Sequence, residues 1–220
     1  MTFEKLFNEI YAVVSLRYFW EGFDGVFVKN ESPDWINPQL DMGLEVSQAL
    51  RQNDGEAKKF IELYLGRPKS EIPATFTEKY AGRLYFYNDR LWGILPEDEI
   101  KGEYVSKALY RFECKLEKLG TNYARFRHNA LYLFLHTDQE TPEGIENILL
   151  GFDYIQNRGK TRFDMVFLGC SRALYVLDMN ESTVKQILVP EDAVNFMNDE
   201  TEKLRSFYQW ENGAQFPREA

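Results

Sequence analysis

The sequence predicts an α/β fold, a central mixed sheet flanked by helices. Three observations point there. Segments of helical periodicity alternate with short β-prone segments along the whole chain. Residues 130–135, Ala-Leu-Tyr-Leu-Phe-Leu, form a nearly all-apolar run, the pattern of a strand at a sheet centre covered on both faces. Aromatic residues make up 15% of 220, with 17 Phe and 13 Tyr, enough for one sizeable aromatic-rich core.

Taken in order, residues 2–19 read as a helix. Phe3, Leu6, Phe7, Ile10, Val13 and Val14 recur at helical spacing, and Thr2 is placed to cap the first turn. Glu9 falls off that stripe and is expected in solvent. Gly22 and Gly25 break the helix, and three short strands follow over 25–29, 33–36 and 42–49. In the third, alternation puts Glu45 and Ser47 on one face and Leu44 and Val46 on the other. A helix is expected over 55–65, closed by Gly66-Arg67-Pro68. Residues 69–82 show no clear period and carry a proline, Pro73, and 83–95 read as a hairpin turning at Asn88-Asp89. A strong helix follows over 103–119, with Gly120 as its terminator and Lys107, Arg111, Lys115 and Lys118 forming a basic ridge. The ridge is expected to be solvated. After the apolar strand at 129–136, Thr141, Pro142 and Glu143 announce a helix to Gln156. Strands at 163–168, 173–178 and 182–189 and a final helix opened by Pro190-Glu191-Asp192 complete the chain. The expectation is a single α/β domain over 1–220 with an insertion at 67–101.

The composition excludes several classes. No apolar run approaches the roughly 20 residues of a membrane-spanning helix, and Met1-Thr2-Phe3-Glu4-Lys5 does not read as a signal peptide, so a cytoplasmic location is expected. With two His and two Cys a structural zinc site is not expected, and Cys114 and Cys170 read as buried free thiols. The net charge of −9 weighs against a broad basic face for nucleic acid, though not against a local one. There is no Gly-rich phosphate loop and no GxSxG elbow. His128 and His136 flank the apolar strand without a nucleophile motif and read as structural or surface residues.

What remains is a pair of acids. Asp34 follows Pro33 at a turn, and Glu45 sits inside the third strand. If the two segments are neighbours, both carboxylates converge at one end of the sheet and can hold a hard divalent cation such as magnesium, with manganese as substitute. The plainer account makes Asp34 a turn cap and Glu45 an edge carboxylate.

This arrangement resembles the PD-(D/E)XK nuclease superfamily, whose restriction-endonuclease-like core runs αβββαβ. There the first acid stands at a Pro-Asp after the second strand, and the second lies in the third strand as (D/E)-x-K. Pro33-Asp34 resembles the first half-motif and Glu45-Val46-Ser47 the second. The Glu-Val-Ser variant is also similar to bacterial members of unassigned function. The resemblance covers a little over half of the chain, 2–136, with the hairpin as insertion and the later strands as a C-terminal extension.

The resemblance implies a magnesium-dependent endonuclease that hydrolyses phosphodiester bonds of DNA. Asp34, Glu45 and the carbonyl of Val46 would be the metal ligands, with Glu31 and Glu9 as accessory acids. The departure is Ser47, where the family has lysine. Some members carry that lysine on a nearby helix, and Lys115 or Lys118 would then complete the site, Lys107 less readily. Two other readings stay open. One is a nuclease fold that has lost catalysis and binds a protein partner through Tyr85, Tyr87 and Trp92 of the hairpin. The other is an unrelated α/β protein in which Asp34 and Glu45 lie apart.

Overall fold

Central strands buried on both faces set the architecture. The structure is a computed structural model and describes residues 3–49, 52–94, 102–122, 126–135, 137 and 140–211. It divides into two compact units, Met1–Ala49 with Tyr104–Ala220, and Leu50–Glu103.

The first unit holds a seven-stranded sheet. Its strands are β1 (Val28–Lys29), β2 (Trp35–Asn37), β3 (Met42–Gln48), β6 (His128–Phe134), β7 (Met165–Gly169), β8 (Ala173–Asp178) and β9 (Thr183–Leu188), which lie side by side in that order. The β3–β6 and β6–β7 pairs are parallel and the others antiparallel, so the sheet is mixed, as expected. Helices α4 (Glu103–Asn122) and α5 (Pro142–Gln156) pack on one face, and α1 (Phe3–Phe19) and α6 (Glu191–Glu211) on the other.

The period of two divides each strand between these layers. Ala130, Tyr132, Phe167, Leu174 and Val176 meet α1 and α6, while Leu131, Leu133, Val166, Leu168 and Leu177 meet α4 and α5. The start of α5 is as predicted: Thr141 Oγ1 accepts from the Gly144 N–H at 3.1 Å, with Pro142 in the first turn. Helix α4 outruns the expected stop, because Gly120 stays helical and the chain continues to Asn122. The missing side chain serves packing there, since a Cβ would stand 3.0 Å from Thr161 Oγ1.

The second unit contains α2 (Gln52–Tyr64), a 3₁₀ turn (Lys69–Glu71), α3 (Ala74–Lys79) and the hairpin β4 (Leu84–Tyr87) and β5 (Arg90–Ile94). Stretch 69–82, aperiodic in sequence, thus holds a short helix, started by Pro73 at its N-cap. Its core is Phe60, Ile72 and Leu91, with the Phe76 ring 4.4 Å from Phe60. The hairpin turns where predicted: Asn88 and Asp89 have φ of 47° and 60°, the left-handed pair of a two-residue turn. Of its aromatics Tyr85 is exposed, whereas the side chains of Tyr87 and Trp92 lie outside the described residues, as does His136.

Cys114 and Cys170 are free and half-buried. Among the described residues no helix is long and apolar enough to cross a membrane.

Phe112 ties α4 to the rest of its layer, with its ring stacked 4.0 Å from Phe152 and 5.6 Å from Phe163. Phe112→Ala is expected to cost about 3–5 kcal/mol in urea unfolding. A loss below about 1 kcal/mol would show that α4 does not depend on this stack.

Candidate carboxylate and lysine site

The turn between β2 and β3 sets the geometry of the two acids. Asn37 Oδ1 accepts from the N–H groups of Gln39 and Leu40, both at 3.1 Å, and its amide donates to the Asp24 carbonyl at 2.6 Å. This side-chain turn fixes the register Trp35↔Leu44 and Asn37↔Met42. Asp34 and Glu45 each stand one residue beyond the last pair of that register, Trp35↔Leu44. Gly43 makes the approach of Pro33 feasible, since a Cβ there would lie 2.8 Å from Pro33 Cγ and 2.6 Å from Phe126 Cδ2.

Strand β2 does not pair as far as Val46. Asp34 fills that place with its side chain: Oδ2 accepts from the Val46 N–H at 2.8 Å. Without it this N–H, on a strand covered on both faces, would lack a partner. In place of the local turn cap expected for Asp34, its side chain thus serves the neighbouring strand.

On the α4 face of the sheet, Leu131 and Leu133 of β6 are apolar. Their registered neighbours on β3 are Glu45 and Ser47, both buried and both polar. Helix α4 answers each of them. Lys115, buried on α4, donates to Glu45 Oε1 in a close ion pair. Arg111, one turn earlier, donates from Nε to Ser47 Oγ at 2.7 Å. The basic ridge is thus not a solvated face along its length. Of the two lysines named as candidates, Lys115 meets Glu45 and Lys118 is exposed, because three residues along a helix rotate the side chain off the buried flank. Lys107, about two turns before Lys115, is half-buried.

A third acid joins from α1. Glu9, expected in solvent, is 1% exposed. It is drawn in by neighbours the helical stripe does not reveal. Lys29 Nζ stands 2.9 Å from Glu9 Oε2 and Lys5 Nζ 3.3 Å from Oε1, while the Trp35 indole N–H donates to the Glu9 carbonyl at 3.0 Å. Neither carboxylate oxygen of Glu9 receives a well-directed hydrogen bond. Lys5 also lies 3.7 Å from Asp34 Oδ1. Lys29 donates to the Asp34 carbonyl at 2.9 Å and lies over the Trp35 ring. Glu31 is exposed. Lys5 and Lys29 went unremarked in sequence, and the one signal for Lys5 was its i,i+4 spacing to Glu9.

The electrostatics follow from burial. Desolvation pushes the Asp34 carboxyl above its ordinary range, and the charge of Glu9 pushes it further, while the Val46 N–H and Lys5 pull the other way. For Lys5, burial lowers the ammonium, but the charges of Glu9, Asp34 and Glu45 outweigh it and leave it raised. All three carboxylates are therefore within electrostatic reach of one ammonium. Among the described residues, no group of three or more Asp, Glu, His or Cys could hold a metal ion as they stand.

Compared with protein-family models, with curated proteins and with solved structures, the chain finds no significant match.

Two outcomes are expected. Lys115→Met leaves Glu45 buried without its cation and should cost about 3–5 kcal/mol in chemical unfolding; a neutral result would mean Glu45 finds water or another cation. For Asp34 the folded value lies above the unfolded one. Its stabilising contribution is therefore full below about pH 3.9, the unfolded value, and is lost as pH rises through the folded value. Asp34→Asn should then melt above wild type at pH 7, with the gap closing as pH falls through the carboxylate range. A variant that melts lower at pH 7 would show that the pairing with Lys5 outweighs burial and Glu9.

Proposed function

We propose that this chain is a divergent nuclease of the PD-(D/E)XK type, with a restriction-endonuclease-like core, that hydrolyses phosphodiester bonds with magnesium. The observation that carries the reading is Lys115. An ammonium stands on Glu45 from a helix, which supplies the cation that Ser47 leaves out of the strand motif. The helix-then-three-strands order and the β2–β3 pairing, with Asp34 and Glu45 each one residue beyond Trp35↔Leu44, support the same reading.

The donors fit magnesium in kind. They are carboxylate oxygens of Asp34 and Glu45, both buried. Magnesium is commonly held by one or two carboxylates, water and substrate phosphate, so it does not require three protein acids. Asp34 and Glu45 would hold it, with the Val46 carbonyl as a further oxygen. A bound ion supplies Lewis-acid polarisation of the phosphate and a lowered pKa for its water.

The protein's own groups then have distinct tasks. Asp34, anchored by the Val46 N–H, is set in position before substrate arrives. Lys115 offers fixed positive charge to the anionic transition state, in a site where burial strengthens that interaction. Glu9 raises the negative field behind Asp34, and Lys5 and Lys29 keep that field from opposing the fold.

The second reading, a nuclease fold kept as a binding module, is favoured by the lysines that already neutralise Glu45 and Glu9. One experiment separates the two. Isothermal titration with magnesium or manganese and a plasmid-cleavage assay are run on wild type, Asp34→Asn and Lys115→Met. The nuclease reading expects metal binding that Asp34→Asn abolishes, and cleavage lowered at least about 100-fold by either change. Wild type with no cleavage and no binding beyond that of Asp34→Asn would leave the module reading.

A further inference from the structure

We propose that Arg111, positioned by Ser47, is the phosphate-binding residue of this site; the inference rests on the reading of a phosphodiester substrate given above. It begins with a match of spacings. Glu45 and Ser47 are two residues apart on β3, about 6.7 Å along a strand. Lys115 and Arg111 are four apart on α4, about 6 Å along a helix. The two periods coincide, so Lys115 meets Glu45 and Arg111 meets Ser47 as two rungs of one ladder.

The rungs differ in charge. The first is an ion pair. In the second, Arg111 meets a neutral hydroxyl, and among the described residues it has no carboxylate partner. In a chain with 35 acids and 26 bases, a half-buried arginine beside a cluster of acids is left with its charge uncompensated. Ser47 engages only Nε. The bond fixes the plane of the guanidinium and leaves the paired Nη groups for a ligand. Two parallel N–H donors on a rigid fork suit two non-bridging oxygens of a phosphodiester, a geometry that an ammonium cannot offer. Arg111 is then the group that grips the strand, Lys115 the charge beside Glu45, and Ser47 a positioning residue.

The test uses the full chain and a fluorescein-labelled single-stranded oligodeoxynucleotide in EDTA, so that no cleavage occurs. Anisotropy is read over a salt series for wild type, Arg111→Gln, Arg111→Lys, Ser47→Ala and Ser47→Thr, each first shown to melt as wild type. Arg111→Gln should weaken binding about 10-fold or more and reduce the log–log salt slope by about 0.7, one phosphate contact on a single strand. Arg111→Lys should recover the slope but not the affinity. Ser47→Ala should weaken binding with the slope intact, and Ser47→Thr should restore it. A purely structural Arg111 would not move the slope. If Arg111→Gln itself melts lower, the comparison of Arg111→Lys with Ser47→Ala decides.

Wild-type affinity and slope in Arg111→Gln, or no strand binding by wild type at low salt, would overturn the inference. Its fate is separable from that of the nuclease reading. Arg111-dependent binding without cleavage in magnesium keeps the phosphate site and removes the nuclease. Cleavage that Arg111→Gln leaves untouched does the reverse.

Discussion

A carboxylate buried inside a helix-covered sheet has to be matched by a cation, and the pair Glu45–Lys115 is where this chain meets that constraint. The isolated charge would cost several kcal/mol, and removing either partner leaves the other exposed to that penalty. The pair therefore couples β3 to α4 in one register. Phe112, one turn from Lys115 on the same helix, packs against Phe152 and Phe163 in the apolar layer, so one helix serves a hydrophobic layer and a polar strip at once. The strip is confined to β3. Across the ladder, Leu131 and Leu133 keep β6 apolar at the same level.

The second concentration of charge, Glu9 with Asp34, is balanced differently. Lys5, on α1, and Lys29, on the edge strand β1, are themselves partly solvated, so their attraction is screened more than that of Lys115. The result is an acid pair under mutual repulsion, with Asp34 shifted upward first by burial and then by Glu9. Packing alone would not select this arrangement. A neutral residue at either position would remove that repulsion. Asp34 has one structural duty, the Val46 N–H, and a neutral amide oxygen could perform it as well.

Much of the fold was legible because its signals are local. The apolar run of β6, the Thr141-Pro142 helix start and the Asn88-Asp89 turn each act within a few residues, and each stands where its chemistry placed it. The antiparallel neighbours β2 and β3 were legible for the same reason. What escaped was non-local. Glu9 reads as solvated because the cations that bury it include Lys29, twenty positions away in another element. Arg111 and Lys115 read as a surface ridge because a helical wheel shows which residues share a face, and not that the facing strand carries Glu45 and Ser47. Gly120 reads as a stop because its packing against Thr161 is invisible until the chain returns.

Ser47 draws these threads together. Arg111 Nε lies 2.7 Å from its hydroxyl, and a lysine at 47 would bring an ammonium toward that guanidinium. Like charges at such range in a partly buried setting repel strongly, so a strand lysine and Arg111 are alternatives that exclude each other. Positive charge at this level therefore comes from two side chains of α4, one turn apart and matched to the strand period. Glu45 is answered by Lys115, while Arg111 is left as a cation with a hydroxyl for its partner.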